Sequence, residues 1–156
     1  MGSPHWDQDV NLPAEDPISG YKNLMYSLHF YAGTHKKLLR DRADEALAKG
    51  LPLFVSESAG MQATGNGPID FDEWNKWINW MDTRQISWIT WSVSDKDETC
   101  SVLNPSAASN GLCASSHGWA FELADRLCKA RQESNRLRRN SSTVGRLPRL
   151  TRTTGA

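Results

Sequence analysis

Short apolar runs alternate with amphipathic segments along the first two thirds of the chain. Residues 23–32, 51–57 and 86–94 are rich in aromatic and β-branched side chains over strand-like lengths. Between them, residues 35–50 and 69–82 repeat their apolar side chains at helical spacing. Strands that alternate with helices in this way predict an α/β fold with a parallel sheet and right-handed crossovers.

The two predicted helices each have one apolar face. The first follows Thr34, a candidate N-cap, and ends at Gly50. Its apolar face comprises Leu38, Leu39, Ala43, Ala46 and Leu47. The apolar face of the second helix comprises Trp74, Trp77, Ile78 and Met81. We expect both faces, and Trp80 beside the second, to pack against the sheet.

The remaining segments are polar or rich in turn-forming residues. Residues 3–20 contain many Pro and Asp residues and predict a long loop, and residues 95–118 predict a series of turns. A last amphipathic segment, residues 119–132, predicts another helix. Trp88 and Trp91 lie three residues apart in the third predicted strand, so we expect them on opposite faces of the sheet.

Chemically active side chains occur near the end of each predicted strand. Glu57 ends the second strand, and His29 and Tyr31 alternate along the first, which places those two on one face. The third strand and the residues after it contribute Trp91, Lys96 and Glu98. Ligands bind at the carboxyl ends of parallel strands, so these residues predict a site there. Taken singly, Glu57 also fits an ordinary strand end, and His29 and Tyr31 fit buried polar residues with backbone partners.

The charge is unevenly distributed along the chain, although the net charge is zero. Residues 129–156 contain eight basic residues, one acidic residue and no aromatic side chain. We expect a domain over residues 1–128, followed by a solvated, disordered tail over residues 129–156. Polyanion binding by the tail is the alternative. Because the tail has no aromatic side chain to stack on a base, we expect no nucleic-acid partner.

The composition, with 38% hydrophobic and 23% charged residues, is typical of a soluble globular domain. No run approaches the roughly 18 apolar residues that span a bilayer, so we expect no membrane association. Residues 1–10 lack the pattern of a signal peptide. Cys100 and Cys113 are spaced for a disulfide in a secreted protein, which would leave Cys128 unpaired, and buried free thiols are equally compatible with the sequence.

Motifs for metals and cofactors are missing from the sequence. The four histidines are dispersed without the spacing of metal ligands. No phosphate-binding loop or dinucleotide fingerprint occurs, and Ser56 and Ser58 lie outside any G-x-S-x-G elbow. We therefore expect neither a metal nor a cofactor.

Four motifs occur in order along the chain: "SPHWDQDV", "YSLHFYAGTH", "LPLFVSE" and "ISWITWSVSDKDE". Together they resemble glycoside hydrolase family 5, and more narrowly its endo-β-1,4-glucanase or cellulase type, over residues 3–104. The resemblance implies a (β/α)8 TIM barrel, of which this chain would carry the C-terminal part, from the end of strand five through strands six to eight. It also implies a β-glucan polysaccharide as substrate and a secreted protein.

The same resemblance implies a role for each candidate residue. Glu57 matches the nucleophile of a retaining glycosidase, which works with a second carboxyl group roughly 5 Å away. His29 and Tyr31 match a pair that contacts the sugar and the nucleophile. The other implied substrate contacts are Trp91, Lys96, Glu98 and Trp6.

Two departures from the family pattern change the expected activity. Ser58 stands where many relatives have an aromatic residue, which is a small change. The Asn-Glu-Pro segment that carries the acid/base glutamate in the family does not occur in this sequence. We therefore expect the chain alone to be inactive. The alternatives are a non-catalytic carbohydrate-binding remnant and a small α/β protein whose tail binds a polyanion.

Overall fold

A parallel βαβ unit organises the part of the chain that the structure describes. The computed structural model describes residues 1–103 and residue 105. In this part, two strands form one parallel sheet: β1 (Tyr26–Tyr31) and β2 (Leu53–Ala59). The helical segments are α1 (Pro4–Asp7), α2 (Asn11–Glu15), α3 (Lys37–Ala48) and α4 (Phe71–Arg84). The predicted alternation of parallel strands and helices is confirmed for these elements.

The prediction of an extended third strand over residues 86–94 is wrong. The segment lies parallel to β2 but makes only an isolated bridge, between Val55 and Trp88. The N–H of Ile89 donates to the carbonyl of Val55 at 3.0 Å, and the hydroxyl of Ser58 then donates to the carbonyl of Ile89 at 2.8 Å. The Ser58 side chain thus occupies the carbonyl of Ile89, which would accept a backbone N–H of β2 if the backbone pairing continued. The predicted loop over residues 3–20 is also wrong in part, since the helix α2 lies within it, whereas α1 is a short turn with left-handed residues.

Helix α3 agrees with the prediction except at its beginning. Leu39, Ala43 and Ala46 are buried, but Leu38 is 83% exposed and does not belong to the buried face. Thr34 is not the N-cap, because the cap is Lys36 and the Thr34 hydroxyl instead accepts the N–H of Ala63 at 2.9 Å. The helix therefore begins later than the sequence predicts, and the chain before it is held to the loop after β2.

Helix α4 supplies most of the aromatic core. The predicted face is confirmed, and the buried apolar side chains are Trp74, Trp77, Ile78, Trp80 and Met81. Phe30 of β1 stacks on Trp77, with ring centroids 4.0 Å apart and planes 9° apart. Asp70 caps the helix by accepting the N–H of Glu73 at 3.1 Å. A capped helix with apolar side chains at helical spacing folds as the sequence predicts.

The two faces of the sheet differ in burial. The buried side chains of one face, which we call the helix-covered face, are Tyr26, Leu28, Phe30, Leu53 and Val55. The partly exposed side chains of the other, the open face, are Ser27, His29, Phe54, Ser56 and Glu57. Trp88 contacts Trp74 of α4 edge-on, with ring centroids 5.7 Å apart, and Trp91 is 46% exposed. That the two tryptophans lie on opposite faces of the sheet stays a prediction.

Several predictions fall on residues outside the described part. These are the helix at residues 119–132, the domain boundary at 128, the tail at 129–156, and the state of Cys113 and Cys128. Cys100 is described and is buried. Among the described helices, none combines the length and the apolar character that crossing a membrane requires.

Candidate active site

A bulge in β2 decides which way Glu57 faces. The pairing of the strands runs from Leu28 opposite Val55 directly to His29 opposite Glu57, so Ser56 is an extra residue. In a regular register, Ser56 would lie opposite His29 and Glu57 would face the helices, because strand residues alternate between faces. The bulge places Glu57 on the open face, beside His29. Strand β2 also continues to Ala59, so Glu57 lies within the strand and not at its end.

A cavity of about 570 Å³ opens at the carboxyl ends of the two strands. It brings together four residues that the sequence predicts for the site: Trp6, His29, Tyr31 and Glu57. It also includes residues that the sequence analysis did not select: His5, Asp7, Gln8, His35 and Ala63. The cavity wall therefore comes from α1 as well as from the ends of the strands.

Tyr31 holds one oxygen of the Glu57 carboxylate. Its hydroxyl donates to Oε1 of Glu57 at 2.7 Å. Burial raises the pKa of the Tyr31 hydroxyl well above its usual value, and the hydrogen bond to Glu57 and the charge of Glu57 raise it further. Tyr31 is therefore a hydrogen-bond donor throughout the neutral pH range. Oε2 of Glu57 lies 3.7 Å from Nδ1 of His29, beyond hydrogen-bond distance.

The other nitrogen of His29 meets two further side chains. Nε2 lies 2.8 Å from the hydroxyl oxygen of Ser56, in a hydrogen bond whose donor depends on the tautomer of the ring. Oδ2 of Asp7 lies 3.3 Å from the same nitrogen. The imidazole of His29 therefore stands between two carboxylates, one at each nitrogen.

His35, a second histidine at the cavity, has a defined proton position. The backbone N–H of Tyr31 donates to Nδ1 of His35 at 2.8 Å, so a neutral His35 carries its proton on Nε2. Burial lowers the pKa of His35, and the nearby charge of His5 lowers it further. The residue places an N–H donor at the cavity wall.

Asp7 reaches His29 through an unusual turn. His5, Trp6 and Asp7 have φ angles of 55°, 50° and 60°, the left-handed region that favours glycine. The Asp7 carboxylate also accepts the backbone N–H of Ser3. The indole of Trp6 is 77% exposed, whereas the side chain of Asp7 is 17% exposed. This turn presents the indole to solvent and the carboxylate to the cavity.

The remaining predicted residues do not line this cavity. Trp91 is attached to β2 next to Glu57, since its N–H donates to the carbonyl of Ser58 at 2.8 Å. Lys96 is exposed, and Glu98 is half-buried and accepts a weak hydrogen bond from the Cys100 thiol at 3.7 Å. The charge of Glu98 contributes to the raised pKa of Tyr31. These three residues belong to the chain after β2 and not to the cavity wall.

The family assignment follows from comparison with known proteins. A family model described as cellulase, glycosyl hydrolase family 5, matches residues 1–97. The chain belongs to glycosyl hydrolase family 5. It is 43% identical over 125 residues to an endoglucanase A of Evansella cellulosilytica, covering 80% of this chain and 24% of that protein. It is 40% identical over 111 residues to an endoglucanase of Clostridium saccharobutylicum, covering 71% of this chain and 25% of that protein.

Solved structures of the same family superpose on this chain. The cellulase Cel5C_n is 47% identical with a TM-score of 0.78, covering 81% of this chain and 39% of that one. The catalytic domain of an endoglucanase from Thermobifida fusca is 28% identical with a TM-score of 0.68, covering 74% of this chain and 38% of that one. The fold of the family is a (β/α)8 barrel, and this chain contains part of it. It spans about a quarter of the length of the curated relatives reported above.

Proposed function

We propose that this chain supplies the nucleophile of a retaining glycosidase that cleaves internal β-1,4-glucosidic bonds in cellulose or a related β-glucan. The observation that carries the proposal is the 2.7 Å hydrogen bond from Tyr31 to Glu57 at the cavity. The names of the relatives support the substrate class, since they are endoglucanases and cellulases. In this proposal β1, β2 and the segment after α4 correspond to strands six, seven and eight of the barrel.

The two oxygens of Glu57 have different tasks in the first step. Oε2 attacks the anomeric carbon, a C–O ester bond forms, and the bond from that carbon to the leaving oxygen breaks. Tyr31 holds Oε1 and thereby fixes the orientation of the carboxylate. A second carboxyl group protonates the leaving oxygen and then removes a proton from the water that hydrolyses the ester. This assignment makes Glu57 the covalent centre of the reaction.

Aromatic and charged side chains at the cavity wall and on the segment after α4 have the character of a sugar-binding surface. The indole of Trp6 is 77% exposed at the cavity wall, and that of Trp91 is 46% exposed beside β2. Flat aromatic faces pack against the apolar faces of glucose rings. Lys96 and Glu98 are charged groups near Trp91 in the chain, suited to hydrogen bonds with sugar hydroxyls. We assign these four residues to substrate binding.

The acid/base residue is not among the motifs of this sequence. The family places it in an Asn-Glu-Pro segment, which does not occur in these 156 residues. We propose that the chain by itself does not hydrolyse an unactivated glucan, and that the working enzyme is an extracellular protein with the complete barrel. The nucleophile and its hydrogen bond to Tyr31 are present without that partner.

A substrate with an activated leaving group separates the nucleophile from the acid. 2,4-Dinitrophenyl 2-deoxy-2-fluoro-β-cellobioside needs no protonation to release dinitrophenolate, and its fluorine slows hydrolysis of the ester. We expect one equivalent of dinitrophenolate and a covalent sugar on Glu57, located by peptide mass spectrometry. Glu57→Gln should abolish the adduct, with circular dichroism showing an unchanged fold. An adduct on another residue, or one that persists in Glu57→Gln, would contradict the assignment.

The exposure of Trp6 and Trp91 also favours a second candidate, carbohydrate binding without turnover. This candidate predicts binding to soluble β-glucan that Trp91→Ala removes, together with no adduct from the fluorosugar. Binding that falls steeply with salt and ignores glucan would instead indicate the basic tail. Affinity electrophoresis in gels with and without β-glucan, at two salt concentrations, distinguishes these outcomes.

A further inference from the structure

Each of the two ring nitrogens of His29 faces a carboxylate oxygen. Oδ2 of Asp7 lies 3.3 Å from Nε2, and Oε2 of Glu57 lies 3.7 Å from Nδ1. A neutral imidazole has one N–H, so its proton can face only one of these two groups. The position of this proton decides whether Nδ1 turns an N–H or a lone pair toward Oε2 of Glu57.

Ser56 does not decide the tautomer by itself. Its hydroxyl oxygen lies 2.8 Å from Nε2 and can either accept a proton from the ring or donate one to it. An ionised carboxylate only accepts, and it attracts a proton to the nearer nitrogen. Asp7 is closer to its nitrogen than Glu57 is to the other. The distances therefore favour a proton on Nε2.

We propose that Asp7 is a positioning residue that holds the His29 proton on Nε2, so that Nδ1 turns its lone pair and not an N–H toward Oε2 of Glu57. Its catalytic consequence rests on the proposed function, because an N–H directed at the attacking oxygen stabilises its negative charge and makes it a weaker nucleophile. Tyr31 already engages Oε1. Asp7 acts through His29 and does not touch the reacting atoms.

The setting of Asp7 fits a group that is held in place. One carboxylate oxygen accepts the backbone N–H of Ser3, so the other oxygen is directed to His29. Asp7 itself has a φ of 60° and is the last of three consecutive left-handed residues. This turn brings the carboxylate to the cavity. Left-handed backbone is strained for residues other than glycine, so contacts such as these must hold the turn.

The position of the proton can be measured on the chain itself. Nitrogen-15 NMR distinguishes the protonated ring nitrogen from the one with the lone pair, and His29→Gln identifies the His29 signals. Spectra are followed to rising pH until the shifts no longer change, so that the neutral ring is observed. We expect the Nε2–H tautomer to predominate in the wild-type chain. A predominant Nδ1–H tautomer would overturn the proposal without any variant.

Asp7→Asn is the decisive variant because it keeps the shape of the side chain. Its oxygen can still accept the N–H of Ser3, which turns the amide NH2 toward Nε2 of His29. We expect the proton to move to Nδ1, toward Glu57. Ser56→Ala is the matched control, since Asp7 remains and the Nε2–H tautomer should persist. An unchanged tautomer in Asp7→Asn, with an amide fingerprint spectrum that shows a native fold, would overturn the proposal.

The rate of fluorosugar attachment gives the functional arm of the test. We expect Asp7→Asn to slow adduct formation about tenfold, because an N–H on Nδ1 would then face the attacking oxygen, with sugar affinity nearly unchanged. If the tautomer changes as expected while neither wild type nor variant forms an adduct, the proposed function fails and the role of Asp7 stands. If the adduct forms at equal rates in both while the tautomer differs, the catalytic consequence is wrong.

Discussion

The helix-covered face and the open face of the sheet come from the same two strands but do different work. On the first, Leu28, Phe30 and Val55 are fully buried, and Phe30 stacks on Trp77. On the second, His29 and Glu57 lie side by side at a cavity. Residues one position apart in the chain thus belong either to the core or to the site, because a strand alternates its side chains between faces.

The difference teaches that a bulge can move a side chain between these roles. If Ser56 paired with His29 in regular register, alternation along β2 would direct Glu57 toward the helices. A carboxylate among Leu28, Phe30 and Val55 would lose its hydration, at a high cost in free energy. The bulge therefore supplies the site with its carboxylate and spares the core from it. If the two faces have these different roles, substitutions on the helix-covered side should lower the free energy of unfolding more than substitutions on the open side.

The largest effect on stability is expected from Trp77→Ala on the helix-covered side. This change removes the stack on Phe30, the contact with the Arg40 guanidinium at 5.1 Å, and the indole hydrogen bond to the carbonyl of His35 at 2.7 Å. We expect a loss of about 3–5 kcal/mol in the free energy of unfolding. Urea denaturation followed by circular dichroism measures it.

Trp91→Ala is the matched control, since it truncates the same residue type at a 46% exposed position. We expect its free energy of unfolding to stay within about 0.5 kcal/mol of wild type. Equal losses of unfolding free energy in Trp77→Ala and Trp91→Ala would show that the exposed tryptophan also stabilises the fold. The distinction between a stabilising region and a functional region would then be wrong.

Ser58→Ala tests a buried polar link between β2 and the segment after α4. Ser58 is fully buried, and its hydroxyl donates to the carbonyl of Ile89 at 2.8 Å. We expect a loss of about 1–2 kcal/mol, because the carbonyl loses its side-chain donor. Ser56→Ala, on the open face, removes a hydroxyl from a partly exposed position and should cost less. Denaturant midpoints that rank the two variants the other way would contradict this assignment.

The elements that the sequence predicts well are those whose contacts follow a regular period. Helix α4 carries Trp74, Trp77, Ile78 and Met81 at helical spacing, and Asp70 is a capping residue at its start. Its buried face follows from these features alone. The apolar runs around β1 and β2 are equally direct signals, which is why both strands lie where the sequence predicts them.

The features that the sequence does not predict depend on pairing between distant segments. The bulge at Ser56 becomes visible only when β2 is aligned with β1. Asp7 lies in a polar stretch without periodicity, and no glycine marks the left-handed turn that brings it to His29. The third strand fails for a similar reason, since the Ser58 hydroxyl competes for the carbonyl of Ile89.

Tyr31→Phe should change the fall in unfolding free energy at alkaline pH more than the unfolding free energy at neutral pH. The raised pKa of Tyr31 means that the folded chain keeps a proton that the unfolded chain loses above about pH 10. Wild-type stability attributable to Tyr31 is therefore complete below that pH and is lost as the pH rises further. Denaturation at pH 8 and at pH 11 should show a smaller decline for Tyr31→Phe. An equal decline in wild type and Tyr31→Phe would show that the Tyr31 hydroxyl does not cause the loss of stability at high pH.

The smallest effect is expected on the acid side, at His35. Because burial lowers the pKa of His35, the unfolded chain binds a proton there more readily than the folded chain. Stability contributed by the neutral ring is present above pH 6.5 and is lost as the pH falls below it, by at most about 1.4 kcal/mol per pH unit for one proton. His35→Gln keeps an acceptor for the Tyr31 N–H but cannot take up that proton. Denaturation at pH 5 and pH 8 should therefore show a weaker pH dependence in the variant, whereas an unchanged dependence would mean that the cavity histidine titrates alike in both states.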